Sequence, residues 1–171
     1  MKYFQQFNNI TYNNYTIKDI LRKVVIDDVV QLGGTAFLPY TVIDGDKPWH
    51  IAENYYGNAD RVWLVYLSNN IIDPYYDWYM SQLEFEEYLK TKYGSIATAQ
   101  DTLKHYKDSE GNIYSKDSYL YSSDPDKSSW TPIYEYAYEE ELNDSKRNII
   151  LLDRRYAKQA EKNLKAIMDD V

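Results

Sequence analysis

The sequence contains no cysteine, which removes disulfides, thiolate metal sites and thiol catalysis together. Histidine is almost as scarce. His50 and His105 are the only two, they fall in different elements, and a metal site built on either would draw its remaining ligands from carboxylates. Both read as structural or surface residues, and no metal or cofactor is expected. No apolar run approaches the roughly 18 residues of a membrane-crossing helix, and the opening residues lack the continuous apolar stretch of a secretory signal. The expectation is a soluble product made in the cytoplasm. Phosphate-cradling loops are missing too: Gly33 and Gly34 are not followed by the required Lys and Ser or Thr. Positive charge is in deficit, with a formal net charge of −8 and a pI near 4.8. The one dense basic cluster, Lys146, Arg147, Arg154 and Arg155, is flanked by acids, so a nucleic-acid partner is not expected.

Aromatic rings are abundant instead: 20 Tyr, 4 Trp and 4 Phe in 171 residues. A chain of this length suits one compact domain, or a small module with extensions packed against it. Each ring removes roughly 150–250 Å² from water when buried, so a core can be built from them. Tyrosine also tolerates a wet boundary, and rings are favoured where partners cover a surface. A composition shaped by an AT-rich genome accounts for the tyrosines equally well.

Along the chain, Ile10 and Tyr12 alternate up to Asn13 and Asn14, and Tyr15 and Ile17 resume after them. That pattern predicts a tight hairpin with Asn at positive φ. Thr16 is placed to cap a short helix starting near Ile17. Residues 24–30 are apolar around Asp27 and Asp28 and read as helix or strand, with a break at Gly33 and Gly34. A strand over 37–43 enters a turn at Asp44, Gly45 and Asp46. Pro48 suits a first helical turn, Gly57 stops that helix, and a second helix runs from about Ala59 to Leu67. Ser81 and Glu84 form a capping box for a helix closed by Gly94. Residues 103–107 and 112–115 flank a hairpin turn at 108–111, and 115–130 read as a loop, mobile or pinned by a partner. Residues 134–147 are open between helix and strand. Ile149 to Leu152 form a short buried strand. Asp153 then caps a final helix with Tyr156, Ala157, Ala160, Leu164, Ile167 and Met168 on one stripe.

Residues 40–78 carry a recognisable pattern: Tyr40, Val42, Gly45, Asp46, Ile51, Ala52, Tyr56, Gly57, Leu64, Asn69 or Asn70, and Pro74. It resembles the LysM module, in which a strand ending in Tyr-x-Val leads through Gly-Asp into two helices. Gly45 permits the sharp turn, Asp46 is placed to accept the first helical N–H groups, and Ile51, Ala52 and Leu64 face the sheet. The surroundings narrow the likeness. A LysM-like segment running into NNIIDPYYDW, a capped helix ending in KYGS, and a C-terminal KRNIILLDRRYA resembles the small baseplate wedge subunit of T-even-type contractile-tailed bacteriophages. That resemblance implies an α+β protein with a LysM-like βααβ core over 37–80, an N-terminal extension over 1–36, and a C-terminal region over 81–171 ending in a strand-helix unit. It implies a structural virion protein, a late product assembled in the host cytoplasm, that joins wedge subunits and neighbouring wedges. Its partners would be other baseplate wedge proteins, including ring-forming and sheath-initiator-like subunits.

Sugar-binding LysM modules usually have Thr-Leu after Gly-Asp, whereas Lys47 and Pro48 stand here, so glycan is not the expected partner. Binding of N-acetylglucosamine in peptidoglycan is one alternative. A muralytic hydrolase is another, for which Glu53, Asp73, Asp77, Glu84, Glu86 and Glu87 lie near rings. Acidic residues number 27, so such proximity is expected by chance, and no enzyme is expected. The candidate partner interface is Trp63, Tyr66, Asp73, Pro74, Tyr75, Tyr76, Trp78 and Tyr79. For these rings, plain core packing and sugar stacking are the competing readings.

Overall fold

The computed structural model describes residues 2–21, 24 and 36–169. It is an α+β chain in two units, one made of Met1–Trp78 with Arg147–Val171 and one of Tyr79–Lys146. Apart from Val24, the apolar stretch 24–30 and the Gly33–Gly34 break lie outside the described residues.

In the first unit, strand β3 (Phe37–Thr41) ends where Gly45 adopts φ +86°. Pro48 opens helix α1 (Pro48–Tyr56), and Gly57 closes it in the left-handed conformation with its N–H on Glu53 O at 2.9 Å. The Asn58 side chain accepts from Asp60 N and starts a 3-10 turn, Ala59–Arg61, that runs into helix α2 (Val62–Ser68). The strand that pairs with β3 is not the next one in sequence. It is β7 (Asn148–Leu152), antiparallel, with Phe37 opposite Leu152 and Thr41 opposite Asn148. The second unit is thus inserted between α2 and β7. Ile51, Ala52, Leu64 and Val65 are buried along with Ile149 and Leu151. Full burial of such a large aliphatic side chain is worth roughly 1.5–3 kcal/mol.

Register decides what each strand edge can do. Val42 N–H bonds to Arg147 O and Asp153 N–H to Ala36 O, so the even-numbered residues of β3 bond to β7 and the odd-numbered ones face outward. Pro39 sits where its missing N–H costs the ladder nothing. On β7, Ile150 and Leu152 face away from β3, and side chains cap both. The Asn69 amide donates to Ile150 O and accepts from Ile150 N, each at 2.8 Å. The Tyr56 hydroxyl donates to Leu152 O at 2.9 Å.

The final helix (Ala157–Asp169) is tied back by Arg61, whose guanidinium donates to both Glu161 carboxylate oxygens and to Tyr56 O. Its buried stripe is narrower than expected: Ala157, Leu164 and Met168 are buried, while Tyr156 and Ile167 are exposed. Asp153 does not cap it directly. Its carboxylate bonds Arg155 N–H and the Arg155 guanidinium, and a turn intervenes. At the other terminus a 3-10 turn (Tyr3–Gln6) precedes hairpin β1 (Asn9–Tyr12) and β2 (Tyr15–Lys18). Asn13 and Asn14 take φ 47° and 66°, the signs of a type I′ turn. The helix expected after Thr16 is absent because Thr16 and Ile17 pair across this hairpin with Thr11 and Ile10.

The second unit opens with helix α3 (Gln82–Tyr93), whose Ser81–Glu84 capping box forms and whose end is Gly94 at φ +82°. Ser95 caps helix α4 (Ile96–Asp101). Phe85, Leu89 and Ala99 make the core, with Met80, Tyr88, Tyr93 and Tyr136 against it. A three-stranded sheet has the order β5 (Ile113–Tyr114), β4 (Leu103–Lys107), β6 (Thr131–Tyr134). The expected loop 115–130 is instead ordered as helix α5 (Lys116–Tyr121) and a 3-10 turn, Pro125–Ser129. Rings hold it: Tyr119 stacks on Tyr106 at 4.0 Å and Trp130 on Tyr114 at 3.8 Å. Residues 135–145 are helix α6 (Glu135–Ser145).

Buried Glu139 on α6 accepts from Lys92 Nζ (2.7 Å), Tyr93 OH (2.8 Å) and Tyr88 OH (3.0 Å). Burial pushes its carboxyl up, but the donors from Lys92, Tyr93 and Tyr88 together outweigh it and hold it below the usual range. A carboxyl depressed in the folded state stabilises above its unfolded pKa, near 4.3, and that stabilisation is lost as pH falls through the lower folded value. Glu139→Gln is expected to destabilise the second unit by about 2–3 kcal/mol at neutral pH, discounted for the half-exposed lysine. Urea melts at pH 7 and pH 3 check this, with the difference from wild type shrinking at the lower pH.

Trp78 and Arg147, the residues flanking the insertion, both bond to the stretch after β3: Trp78 Nε1 to Asp46 O at 3.0 Å and Arg147 O to Val42 N–H at 2.8 Å. Replacing residues 80–145 with a short Gly/Ser linker is therefore expected to leave the first unit folded, as read by dispersed amide resonances.

Candidate partner interface

The loops at either end of the helix pair build the candidate surface. In the first, Asp46 Oδ2 accepts from Tyr40 OH (2.8 Å) and Ile43 N–H (3.1 Å). The Asp46 carboxylate braces the turn on its strand side and is not the cap of α1; that position is Lys47, which makes no side-chain cap bond. In the second, Asn69 also donates to Val65 O (2.8 Å), and Asn70 takes φ 53°. Asp77 Oδ2 then accepts from Ile72 N–H (3.0 Å) and Asp73 N–H (2.9 Å). Asp73 accepts from Tyr75 N–H on its side chain, and from Tyr76 and Asp77 N–H on its carbonyl. Two carboxylates thus brace a short turn. The Trp78 indole N–H on Asp46 O holds this loop to the first one.

The eight candidate residues divide. Asp73, Pro74, Tyr75 and Tyr76 share the braced turn and are exposed, Tyr75 at 86% and Tyr76 at 61%, with Ile72 beside them at 80%. Tyr66 is half-buried, and burial raises its hydroxyl pKa. Trp63, Trp78 and Tyr79 are buried. Trp63 stacks on Tyr3 at 5.7 Å, and Tyr79 belongs to the second unit. Spacing alone grouped them because rings that serve a core and rings that serve a surface look alike in sequence.

The motif residues serve as structure. Val42, Ile51, Ala52, Tyr56 and Leu64 are buried, Gly45 and Gly57 take positive φ, and Asn69 caps β7. Sequence reasoning missed the partner of Asn69, 81 residues away, and the Glu139 cluster, whose members come from two helices far apart in the chain. No local signal marks either. Among the described residues no group of three or more His, Cys, Asp or Glu side chains is placed to hold a metal ion, and no helix is long and apolar enough to cross a membrane.

Of the six acidic side chains considered for hydrolysis, four accept backbone N–H groups, and Glu86 accepts from the Gln82 amide. Glu53 accepts from Ala59 N–H, Asp73 and Asp77 from the turn, and Glu84 from Ser81. These carboxylates act locally, as braces of turns and of one helix start. The chain belongs to the family described as base plate wedge protein 53, whose model matches residues 2–153; it is a structural phage baseplate protein. No curated protein matches the chain.

Asn69→Ala removes both bonds to Ile150 and is expected to destabilise the first unit by about 1–3 kcal/mol. Asn69→Asp, which cannot donate, is expected to recover little of that loss. Urea denaturation followed by tryptophan fluorescence measures both.

Proposed function

We propose that this protein joins wedge proteins to each other, and neighbouring wedges together, while the phage baseplate assembles. The observation that carries the reading is the family match over residues 2–153. On this reading its partners are other baseplate wedge proteins, with ring-forming and sheath-initiator-like subunits among them. Assembly takes place in the host cytoplasm, late in infection, and the product is part of a contractile tail.

The first unit is read as a LysM-like core. Support comes from its order of strand, helix, helix and antiparallel strand, and from the structural duties of Tyr40, Asp46, Tyr56 and Asn69. In these terms the module over 37–80 draws its last strand from residues 148–152. Residues 1–36 serve as an arm, and 81–171 supply the inserted region and the closing strand-helix unit. The contact surface is the turn Asp73, Pro74, Tyr75 and Tyr76, with Tyr66 at its margin. Two exposed rings on a turn fixed by Asp73 and Asp77 lose little freedom on docking, which favours them as anchors. Trp63 and Trp78 contribute as buried rings of the same unit.

In a reconstitution with the remaining wedge proteins, the double variant Tyr75→Ser, Tyr76→Ser is expected to bind roughly 10- to 100-fold more weakly, with an unchanged thermal midpoint. Sedimentation measures binding. Wild-type affinity of that variant would remove the turn from the interface. Co-sedimentation of the wild-type chain with peptidoglycan, or clearing of a cell-wall suspension, would replace the joining role.

A further inference from the structure

Strands β1 and β2 form a ribbon with no other strand against it among the described residues. Register sorts its side chains: Ile10 faces Ile17 and Tyr12 faces Tyr15 across the pair, while Asn9, Thr11, Thr16 and Lys18 occupy the alternate positions. Because side chains alternate between faces, Ile10, Tyr12, Tyr15 and Ile17 make one uncharged apolar face and the other face is polar. The apolar face is open to solvent, with Tyr12 at 65% and Tyr15 at 74% exposure.

The root of this ribbon is fixed. Lys18 Nζ donates to Phe7 O (2.7 Å) and Gln5 O (3.2 Å), and Asp19 N–H bonds Asn8 O (2.8 Å). Phe7 is buried, and Tyr3 stacks on Trp63. A two-stranded hairpin alone in water is marginal. A sequence that places four large apolar residues on one face of such a hairpin, with polar residues opposite, has the pattern of a half-buried strand pair whose cover is supplied from outside.

Resting on the baseplate reading above, we propose that the Ile10, Tyr12, Tyr15 and Ile17 face docks into an uncharged apolar groove of another baseplate wedge protein. Area argues against a second copy as the occupant. Four partly exposed side chains offer on the order of 400 Å², about half of the roughly 800 Å² each partner gives to a stable interface. A face that small holds only when its owner is already tethered nearby, because tethering raises the effective concentration. A subunit bound to a wedge through a different surface meets that condition, and two free copies do not. The absence of charge on the face sets the chemistry of the groove: apolar walls, with acceptors at the depth of the Tyr12 and Tyr15 hydroxyls.

The test compares hydrogen exchange of the full chain, free and assembled with the remaining wedge proteins. Amides of residues 9–18 are expected to exchange quickly in the free chain and at least about 10-fold more slowly in the wedge. The variant Ile10→Thr, Tyr12→Ser, Tyr15→Ser, Ile17→Thr is expected to bind the wedge about 10-fold or more weakly. The conservative set Ile10→Val, Tyr12→Phe, Tyr15→Phe, Ile17→Val and the opposite-face set Asn9→Ser, Thr11→Ser, Thr16→Ser are expected to stay near wild type. If the chain enters the wedge while residues 9–18 remain unprotected, the hairpin proposal is overturned and the baseplate reading stands. If the chain does not enter the wedge at all, the baseplate reading fails first. Concentration-dependent dimerisation of the free chain that the face variant abolishes would overturn the choice of partner.

Discussion

The Asn69 carboxamide, on the edge of β7 away from β3, ties the returning strand to α2. Strand β7 returns to β3 only after the whole inserted unit has been traversed, so chain connectivity does little to keep it beside α2. Asn69, at the end of α2, offers Ile150 one donor and one acceptor, as a neighbouring strand would. Tyr56 does the same for Leu152 with one hydroxyl. Asn143 in the second unit repeats the device: its buried amide accepts from Met80 N–H and donates to Met80 O, at 2.8 and 2.9 Å. Each unit thus joins distant segments with a carboxamide that fills both backbone valences of one residue. The amide suits this because it is uncharged and carries a donor and an acceptor side by side. A carboxylate would leave the carbonyl unmet, and an ammonium would leave the N–H unmet.

The acidic composition follows the same economy of means. Asp46, Asp73, Asp77 and Asp108 each accept backbone N–H groups in turns, and Glu84 closes a capping box. At Asp108 the Asn112 side chain is the foremost of several donors that hold the carboxyl below its ordinary range. Turns fixed in this manner can carry large apolar side chains outward without collapsing onto them. At 72–77 the braced turn and the exposed rings of Tyr75 and Tyr76 occur together.

Local features were the legible ones. The hairpin at Asn13 and Asn14, the turn at Gly45, the helix bounded by Pro48 and Gly57, and the capping box at Ser81 all depend on residues within a few positions of each other, and each appears where the sequence puts it. The α+β class and the family could be read as well, since both rest on motifs in order along the chain. What stayed hidden depends on distance. Nothing near Asn69 announces Ile150, and nothing near Lys92 announces Glu139. The segment 115–130 looked like a loop because its Ser, Asp and Lys residues outnumber its rings; yet Tyr119 and Trp130 each find an aromatic face on the β4–β5 hairpin, and Lys127 Nζ donates to Tyr119 O and Ser122 O within it. Which of the candidate interface rings are exposed was only partly legible. The turn that carries Tyr75 and Tyr76 is marked by Asp73 and Pro74, but periodicity has no means of telling a ring beneath the surface from one upon it.

Pro39 has a consequence for how such a subunit waits. The outward edge of β3 would be a natural place for another chain to add a strand, and the residue at its midpoint has no hydrogen to give. A copy that approaches edge-on meets a carbonyl without its companion donor, so backbone zippering between copies stalls at its centre. Edge-to-edge pairing of copies through this strand is thereby disfavoured.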